Sequence, residues 1–219
     1  MRNLFSIDSK LFSILSRVTD LIILSVLWIL CSIPIVTVGV STTALYYVTL
    51  KMARRDDVHV FRMFFRAIKD NFKQGISITC VLLILSAILF LDYRLLTAME
   101  GIVVQTVAWI LFPVSLLFVM TMFYVFPLQS QYINSVPQTI KNAFILAWGN
   151  IPFSILIVII NMIPVLLLLF AHDLFVRLLP ILVFISPAGI AYLCSFCYVK
   201  IFASVEVNKE NVQSDLSSV

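Results

Sequence analysis

Residues 151–171 read IPFSILIVIINMIPVLLLLFA, a run without a charged side chain that has the length of a membrane-spanning helix. About 20 apolar residues in an α-helix cross the roughly 30 Å of hydrocarbon in a bilayer. Three further uncharged stretches approach or exceed this length, at residues 75–91, 102–128 and 178–199. Prolines within three of the four stretches predict kinks or helix ends. The sequence therefore predicts an all-α, polytopic membrane protein with four spans.

The composition supports a membrane protein rather than a soluble one. Of the 219 residues, 62% are hydrophobic and 12% are charged, and the mean hydropathy is +1.08. A soluble domain is only about half apolar. The apolar runs lack the alternation of barrel strands, so helices are the predicted spanning elements. A single transmembrane domain over residues 1–200 leaves a short tail at 201–219, predicted to be cytoplasmic and flexible, and no soluble module for an enzyme.

A break in the first apolar region predicts a helical hairpin over residues 20–52. Pro34 and Gly39 interrupt a stretch too long for one straight span, and Ser41 to Thr43 offer N-caps for a second arm. Arms of about 13 residues are about 20 Å long, so the hairpin either dips into the bilayer or crosses a thinned region. Such a break exposes hydroxyls and a helix N-terminus, which makes it the candidate ligand site: Thr37, Gly39, Ser41, Thr42 and Thr43. The alternative is that these residues only cap and pack the hairpin.

Two segments between the spans are predicted to lie in the membrane surface. Residues 58–73 place phenylalanines on one helical face, while the other face carries basic side chains that would meet anionic lipid headgroups: Arg62, Arg66, Lys69 and Lys73. Residues 137–148 form a shorter elbow with Lys141 as its only charge. A shift of 79 positions aligns Asn71 with Asn150, which leaves open either an internal duplication or a chance match.

The positive charges orient the predicted spans, because cytoplasmic loops collect Lys and Arg. With both termini cytoplasmic, all 15 Lys and Arg residues except Arg94 and Arg177 lie inside, a division of 13 to 2. If residues 21–50 formed one span, the division would be 10 to 5. The charges therefore favour the hairpin and a multi-pass protein with both termini in the cytoplasm.

The sequence contains no constellation from which a chemical activity follows. Ionisable residues inside a membrane mark proton relays and ion sites, and none lies in the middle of a predicted span. Cys194 and Cys197 form a C-x-x-C pair, but no second pair and no nearby His completes a metal site. The net charge of +4 comes from residues beside the spans, which argues against nucleic acid as a partner. No catalytic, cofactor-binding or metal-binding residue is predicted.

The first third of the chain resembles the YesL family of bacterial membrane proteins. The likeness is carried by Asp20-Leu21-Ile22, Leu27-Trp28, Cys31, Pro34-Ile35-Val36-Thr37-Val38-Gly39, Thr42-Thr43-Ala44-Leu45-Tyr46-Tyr47, Phe64-Phe65 and Phe72-Lys73-Gln74. The resemblance implies a plasma-membrane protein without an assigned molecular function that accompanies carbohydrate ABC uptake systems. The hallmark of the permease itself, a cytoplasmic loop that begins Glu-Ala-Ala, is absent from the sequence.

Two hypotheses follow for the function. In the first, the protein is an accessory or regulatory component that binds partner membrane subunits such as an ABC permease. In the second, it is a small transporter or channel with its site at the broken hairpin, residues 34–43. An intramembrane enzyme is not expected, because paired catalytic groups are missing.

Overall fold

The computed structural model describes residues 2–97 and 101–217, and the side chains of residues 15–97, 101, 104–171, 173–180 and 182–205. The described residues are helical and contain no β-strand, so the predicted all-α fold is confirmed. Their elements are α1 (Arg2–Cys31), a 3₁₀ turn (Ile35–Thr37), α2 (Val38–Ala53), α3 (Val60–Thr97), α4 (Ile102–Gln131), α5 (Val136–Gly149), α6 (Ile151–Phe170) and α7 (His172–Ser217).

Within the described residues, five helical stretches are long and apolar enough to cross a bilayer. They are Ile35–Ala53, Val60–Thr97, Val104–Gln131, Ile151–Phe170 and Leu182–Val205. Each of the four predicted spans overlaps one of the last four stretches, and the second arm of the predicted hairpin lies in the first, Ile35–Ala53. The chain is therefore a polytopic helical membrane protein.

The predicted surface helix at 58–73 and the predicted span at 75–91 form one continuous helix, α3. Charge and composition change at Lys73 to Gly75, but a single glycine costs a helix only about 1 kcal/mol, and this one packs closely against α2. The second predicted surface segment, at 137–148, is separate from the span that follows it. Its helix, α5, ends at Gly149, and the backbone of Asn150 leaves the helical conformation (φ −126°, ψ 48°). The location of both segments in the membrane surface stays a prediction.

The last helix, α7, continues past residue 199, the predicted end of the final span. Pro180 and Pro187 lie inside it, and no glycine or proline follows Lys200 to end the helix before Ser217. The cytoplasmic location and flexibility of residues 201–219 stay predictions, and the side chains from residue 206 onward lie outside the described residues.

The second arm of the hairpin, α2, is the centre of the bundle. It contacts α1, α3, α4 and α7, and its Val40, Ala44 and Val48 are fully buried or nearly so. The guanidinium of Arg17 donates a hydrogen bond of 2.9 Å to Met52 O and so ties the middle of α1 to the last turn of α2. An apolar helix surrounded on four sides needs small residues wherever a neighbour comes close.

Two glycines allow α2 and α3 to cross at close range. A Cβ atom at Gly39 would overlap the Thr79 hydroxyl of α3 and lie 2.6 Å from Cε1 of Phe126 in α4. On the other side of the crossing, a Cβ atom at Gly75 would lie 2.8 Å from Cγ2 of Val40. The backbones meet where side chains are absent, as in the small-residue contacts of membrane helices.

This crossing sets the height of the hairpin within the bundle. Gly39, in the first turn of α2, lies beside Thr79, which is near the middle of α3. From Thr79, α3 continues to Thr97, about 27 Å further at 1.5 Å per residue. The hairpin tip therefore lies about halfway along α3. The parts of α3 and α4 on the far side of this crossing, called the outer halves of the paired spans below, extend beyond the tip.

Candidate functional site

The hydroxyls of the first two candidate ligand residues, Thr37 and Ser41, form hydrogen bonds with backbone carbonyls of the hairpin itself. The Thr37 hydroxyl lies 2.7 Å from Cys31 O and 2.8 Å from Pro34 O, so it closes the turn between the arms. Ser41 donates to Thr37 O at 3.0 Å, one helical turn back. Each hydroxyl has one proton, and here the protons serve backbone carbonyls. Thr37 and Ser41 thus have no donor left for a ligand.

Thr42 and Thr43 also bond back into α2 and link it to neighbouring helices. Thr42 donates to Val38 O at 2.7 Å and accepts a bond of 3.2 Å from the indole nitrogen of Trp28 in α1. Thr43 lies 2.9 Å from Gly39 O and 3.1 Å from the side-chain oxygen of Gln129 in α4. These bonds hold α2 against α1 and α4, and a ligand role for the five candidate residues stays a prediction.

A cavity of about 250 Å³ lies beside the hairpin tip, and of the five candidate residues only Thr42 lines it. Its walls come from α1, α2, α4, α6 and α7 and are mostly apolar, with Trp28, Tyr46 and Phe126 among them. Asn161 of α6 adds an amide, which donates to Ile157 O at 2.8 Å and contacts Cys194 Sγ at 3.4 Å. Such walls suit an apolar ligand better than a sugar or an ion.

Below this cavity, three tyrosines from three helices form a cluster that the sequence did not predict. The ring of Tyr198 in α7 packs edge-on against Tyr46 of α2 and Tyr124 of α4, with centroid distances of 5.5 and 5.3 Å. All three side chains are buried. T-shaped aromatic pairs contribute about 0.5–1.5 kcal/mol each beyond the area they bury. The cluster therefore holds α2, α4 and α7 together.

The hydroxyl of Tyr198 repairs a break in the hydrogen bonding of α4. Pro127 has no N–H, so the carbonyl four residues earlier, at Phe123, loses its helical partner. Tyr198 donates to this carbonyl at 2.8 Å. The second tyrosine hydroxyl, on Tyr124, accepts a bond of 2.9 Å from Ser154 of α6. Both hydroxyls thus form hydrogen bonds between helices inside the bundle.

The predicted basic face of α3 is exposed, while its contact with lipid headgroups stays a prediction. Its four side chains point outward, and the only ion pair among the described residues joins Arg66 to Asp70 at 3.6 Å. Among the phenylalanines, Phe64 is buried in the core, while Phe61 and Phe65 are exposed and their ring centroids lie 4.8 Å apart. Exposed aromatic rings beside cations are typical of a membrane interface.

The described residues contain no group of three or more His, Cys, Asp or Glu side chains that could hold a metal ion. Cys194 and Cys197 are free thiols that are buried in the core. Neither the hairpin break nor the tyrosine cluster juxtaposes a nucleophile with a general base.

Two comparisons relate the chain to known proteins. A family described as "Protein of unknown function, DUF624" matches residues 21–93, which include the hairpin and most of α3. The uncharacterized protein YesL of Bacillus subtilis (strain 168) is 26% identical over 214 residues, 96% of this chain and 98% of its own length. These matches support the predicted resemblance of the chain to the YesL family. No solved structure matches the chain, and neither YesL nor the DUF624 family is described as an enzyme.

Proposed function

We propose that this protein is an accessory or regulatory subunit that contacts other subunits of a membrane uptake system, of the carbohydrate ABC class that the family resemblance implies. It would not be an enzyme, and its function would be protein contact. The observation that carries the proposal is the exposed outer halves of the paired spans.

These outer halves are apolar around most of their circumference. In α3, Leu83, Ile84 and Leu85 are all exposed, although consecutive side chains on a helix point about 100° apart. In α4, Phe112 is 63% exposed. Helices with so few internal neighbours offer surface to lipid and to helices of other subunits, which associate in membranes through close packing.

The interior of the bundle supports a role in protein contact rather than in the conduction of an ion or a sugar. The hydroxyls at the hairpin break serve backbone carbonyls, and no charged residue occurs between residues 75 and 91 or between 151 and 171. A path for an ion or a sugar needs polar groups along its length. The polar groups that line the cavity at the hairpin tip are few, and two of them, Thr42 and Asn161, already have hydrogen-bond partners.

The proposal includes an orientation in the bacterial plasma membrane. Both termini and the loop at Arg54 to Asp57 would be cytoplasmic, and the basic face of α3 would rest on the inner leaflet. Its four cations would each contribute about 1 kcal/mol of attraction to anionic lipid.

Photo-crosslinking tests the accessory role. A diazirine analogue of phenylalanine at Phe112 is expected to capture a permease or ATPase subunit of an uptake system in native membranes. The same analogue at Phe64, which is fully buried, is the matched control and should yield no adduct. Mass spectrometry of the crosslinked band identifies the subunit. Adducts confined to lipid, together with purification in mild detergent without a stoichiometric partner subunit, would refute the proposal.

The cavity at the hairpin tip favours a second candidate function, a small transporter or channel. A water-filled path would make residue 42 reachable by a membrane-impermeant cationic thiol reagent, because Thr42 lines that cavity. With the four native cysteines replaced by alanine, the accessory role predicts no labelling of Thr42→Cys from either side of the membrane.

The control for this experiment is Asp56→Cys in the exposed loop after α2. It should be labelled rapidly in inverted vesicles and not in intact cells. Labelling of Thr42→Cys would instead support transport, and labelling of Asp56→Cys in intact cells would contradict the proposed orientation.

A further inference from the structure

An open groove of about 700 Å³ lies between α3, α4 and α5, apart from the cavity at the hairpin tip. Leu85 of α3, Phe118 of α4 and Phe144 of α5 are among the apolar side chains that form its walls. Along α4 the groove extends from Val114 to Thr121, about 10 Å of helix. This length accommodates a segment of an extended acyl chain.

The groove wall offers a ligand almost no hydrogen bonds. Thr121 is the one hydroxyl in it, and it donates to Leu117 O of its own helix at 2.8 Å. A peptide strand laid in this groove would leave its backbone N–H and C=O groups without partners, at a cost of several kcal/mol per group. A hydrocarbon chain has no such groups. The wall therefore fits a lipid tail better than an extended peptide.

One cation completes the groove at the end formed by α5. Lys141 is the only charged residue of α5 and lines the groove, and no carboxylate lies within 4 Å of its amine in the part of the chain that the structure describes. Because α5 connects the end of α4 to the start of α6, this cation lies at the bundle end where the chain turns between spans. An ammonium at one end of an apolar trough is complementary to an amphiphile with one anionic headgroup.

From these observations we infer that the groove binds one anionic phospholipid, with an acyl chain along α3 and α4 and the phosphate on Lys141. The basic face of α3 is a different surface, because its exposed cations line no part of this groove and would attract anionic lipid without selecting a single molecule. The lipid site does not depend on the accessory role proposed above.

Native mass spectrometry of the purified full-length chain tests the site. With added phosphatidylglycerol, the wild-type protein is expected to retain one lipid in preference to phosphatidylcholine. Lys141→Gln should reduce this occupancy at least about fivefold, which corresponds to the attraction of one lysine to an anionic surface. Lys200→Gln removes an exposed cation outside the groove and is the matched control, with occupancy expected at the wild-type level.

Two further measurements distinguish a lipid from other occupants. Leu117→Trp fills the groove but keeps Lys141, and it should also lose the bound lipid, while soluble glycerol phosphate should not compete. If Leu117→Trp fails to fold, Lys141→Arg replaces it and should restore the occupancy lost in Lys141→Gln. Equal retention of both lipids, unchanged occupancy in Lys141→Gln, or displacement of the lipid by a protein subunit would overturn the inference.

Discussion

Gly39→Ala is expected to destabilise the protein by about 1–3 kcal/mol, the usual cost of forcing an extra carbon into a packed interior. The new Cβ atom would overlap the Thr79 hydroxyl and lie 2.6 Å from the Phe126 ring. Neither neighbour can move freely, because Thr79 is bonded to Gly75 O and Phe126 is buried in the core. The strain would thus separate α2 from both α3 and α4.

Thermal unfolding in detergent, followed with a thiol-reactive dye, measures this effect. Cys194 and Cys197 are buried and become reactive on unfolding, and Cys80→Ser removes the exposed thiol from the background. Gly149→Ala is the matched control, because a Cβ atom there has no neighbour within 4 Å and should leave the melting temperature nearly unchanged. If both substitutions lowered it equally, the close crossing of α2 and α3 would be refuted.

Tyr198→Phe is expected to cost about 1–3 kcal/mol, since it removes one oxygen but leaves the Phe123 carbonyl unsatisfied in the interior. The ring contacts with Tyr46 and Tyr124 are retained, so the measured loss reports the hydroxyl alone. The carbonyl has no alternative donor within α4, because residue 127 is proline.

Tyr192→Phe provides the control for this loss. Tyr192 lies two turns earlier in α7 and packs against Phe196 at 5.0 Å, but its hydroxyl makes no hydrogen bond within the described residues. The dye assay should therefore show a lower melting temperature for Tyr198→Phe and little change for Tyr192→Phe. Restoration of the lost stability in Tyr198→Phe by Pro127→Ala, which returns an N–H to α4, would identify the carbonyl as the cause. No difference between the two tyrosine variants would contradict the assignment.

The sequence was sufficient for the helical membrane fold, because long uncharged runs depend only on the chemistry of the bilayer. It also located the bend of the hairpin, since Pro34 lies between α1 and the 3₁₀ turn. It was misleading at Lys73 to Gly75, where a change in composition suggested two elements. A helix depends on backbone conformation rather than on the polarity of its faces, and α3 continues through these residues.

The tyrosine cluster and the α2–α3 crossing could not be predicted, because they depend on contacts between distant parts of the chain. No periodic pattern relates Tyr46, Tyr124 and Tyr198. One local signal was present: Pro127 inside a helix predicts an unpartnered carbonyl at Phe123 and hence a donor on a neighbouring helix. That signal calls for a donor without saying which residue supplies it. The sequence shows that hydroxyls are present at Thr37 to Thr43, but only the fold shows that they donate to backbone carbonyls of the hairpin.

Because the hairpin tip lies only about halfway along α3, the depth of the hairpin and the sidedness of the later helices are independent of each other. A hairpin enters and leaves from the same face whatever depth it reaches, so it adds an even number of passages to the protein. Lengthening or shortening its arms would leave the sidedness of every later helix unchanged. The depth of α1 and α2 is thus free to vary among homologues without inverting α3 to α7.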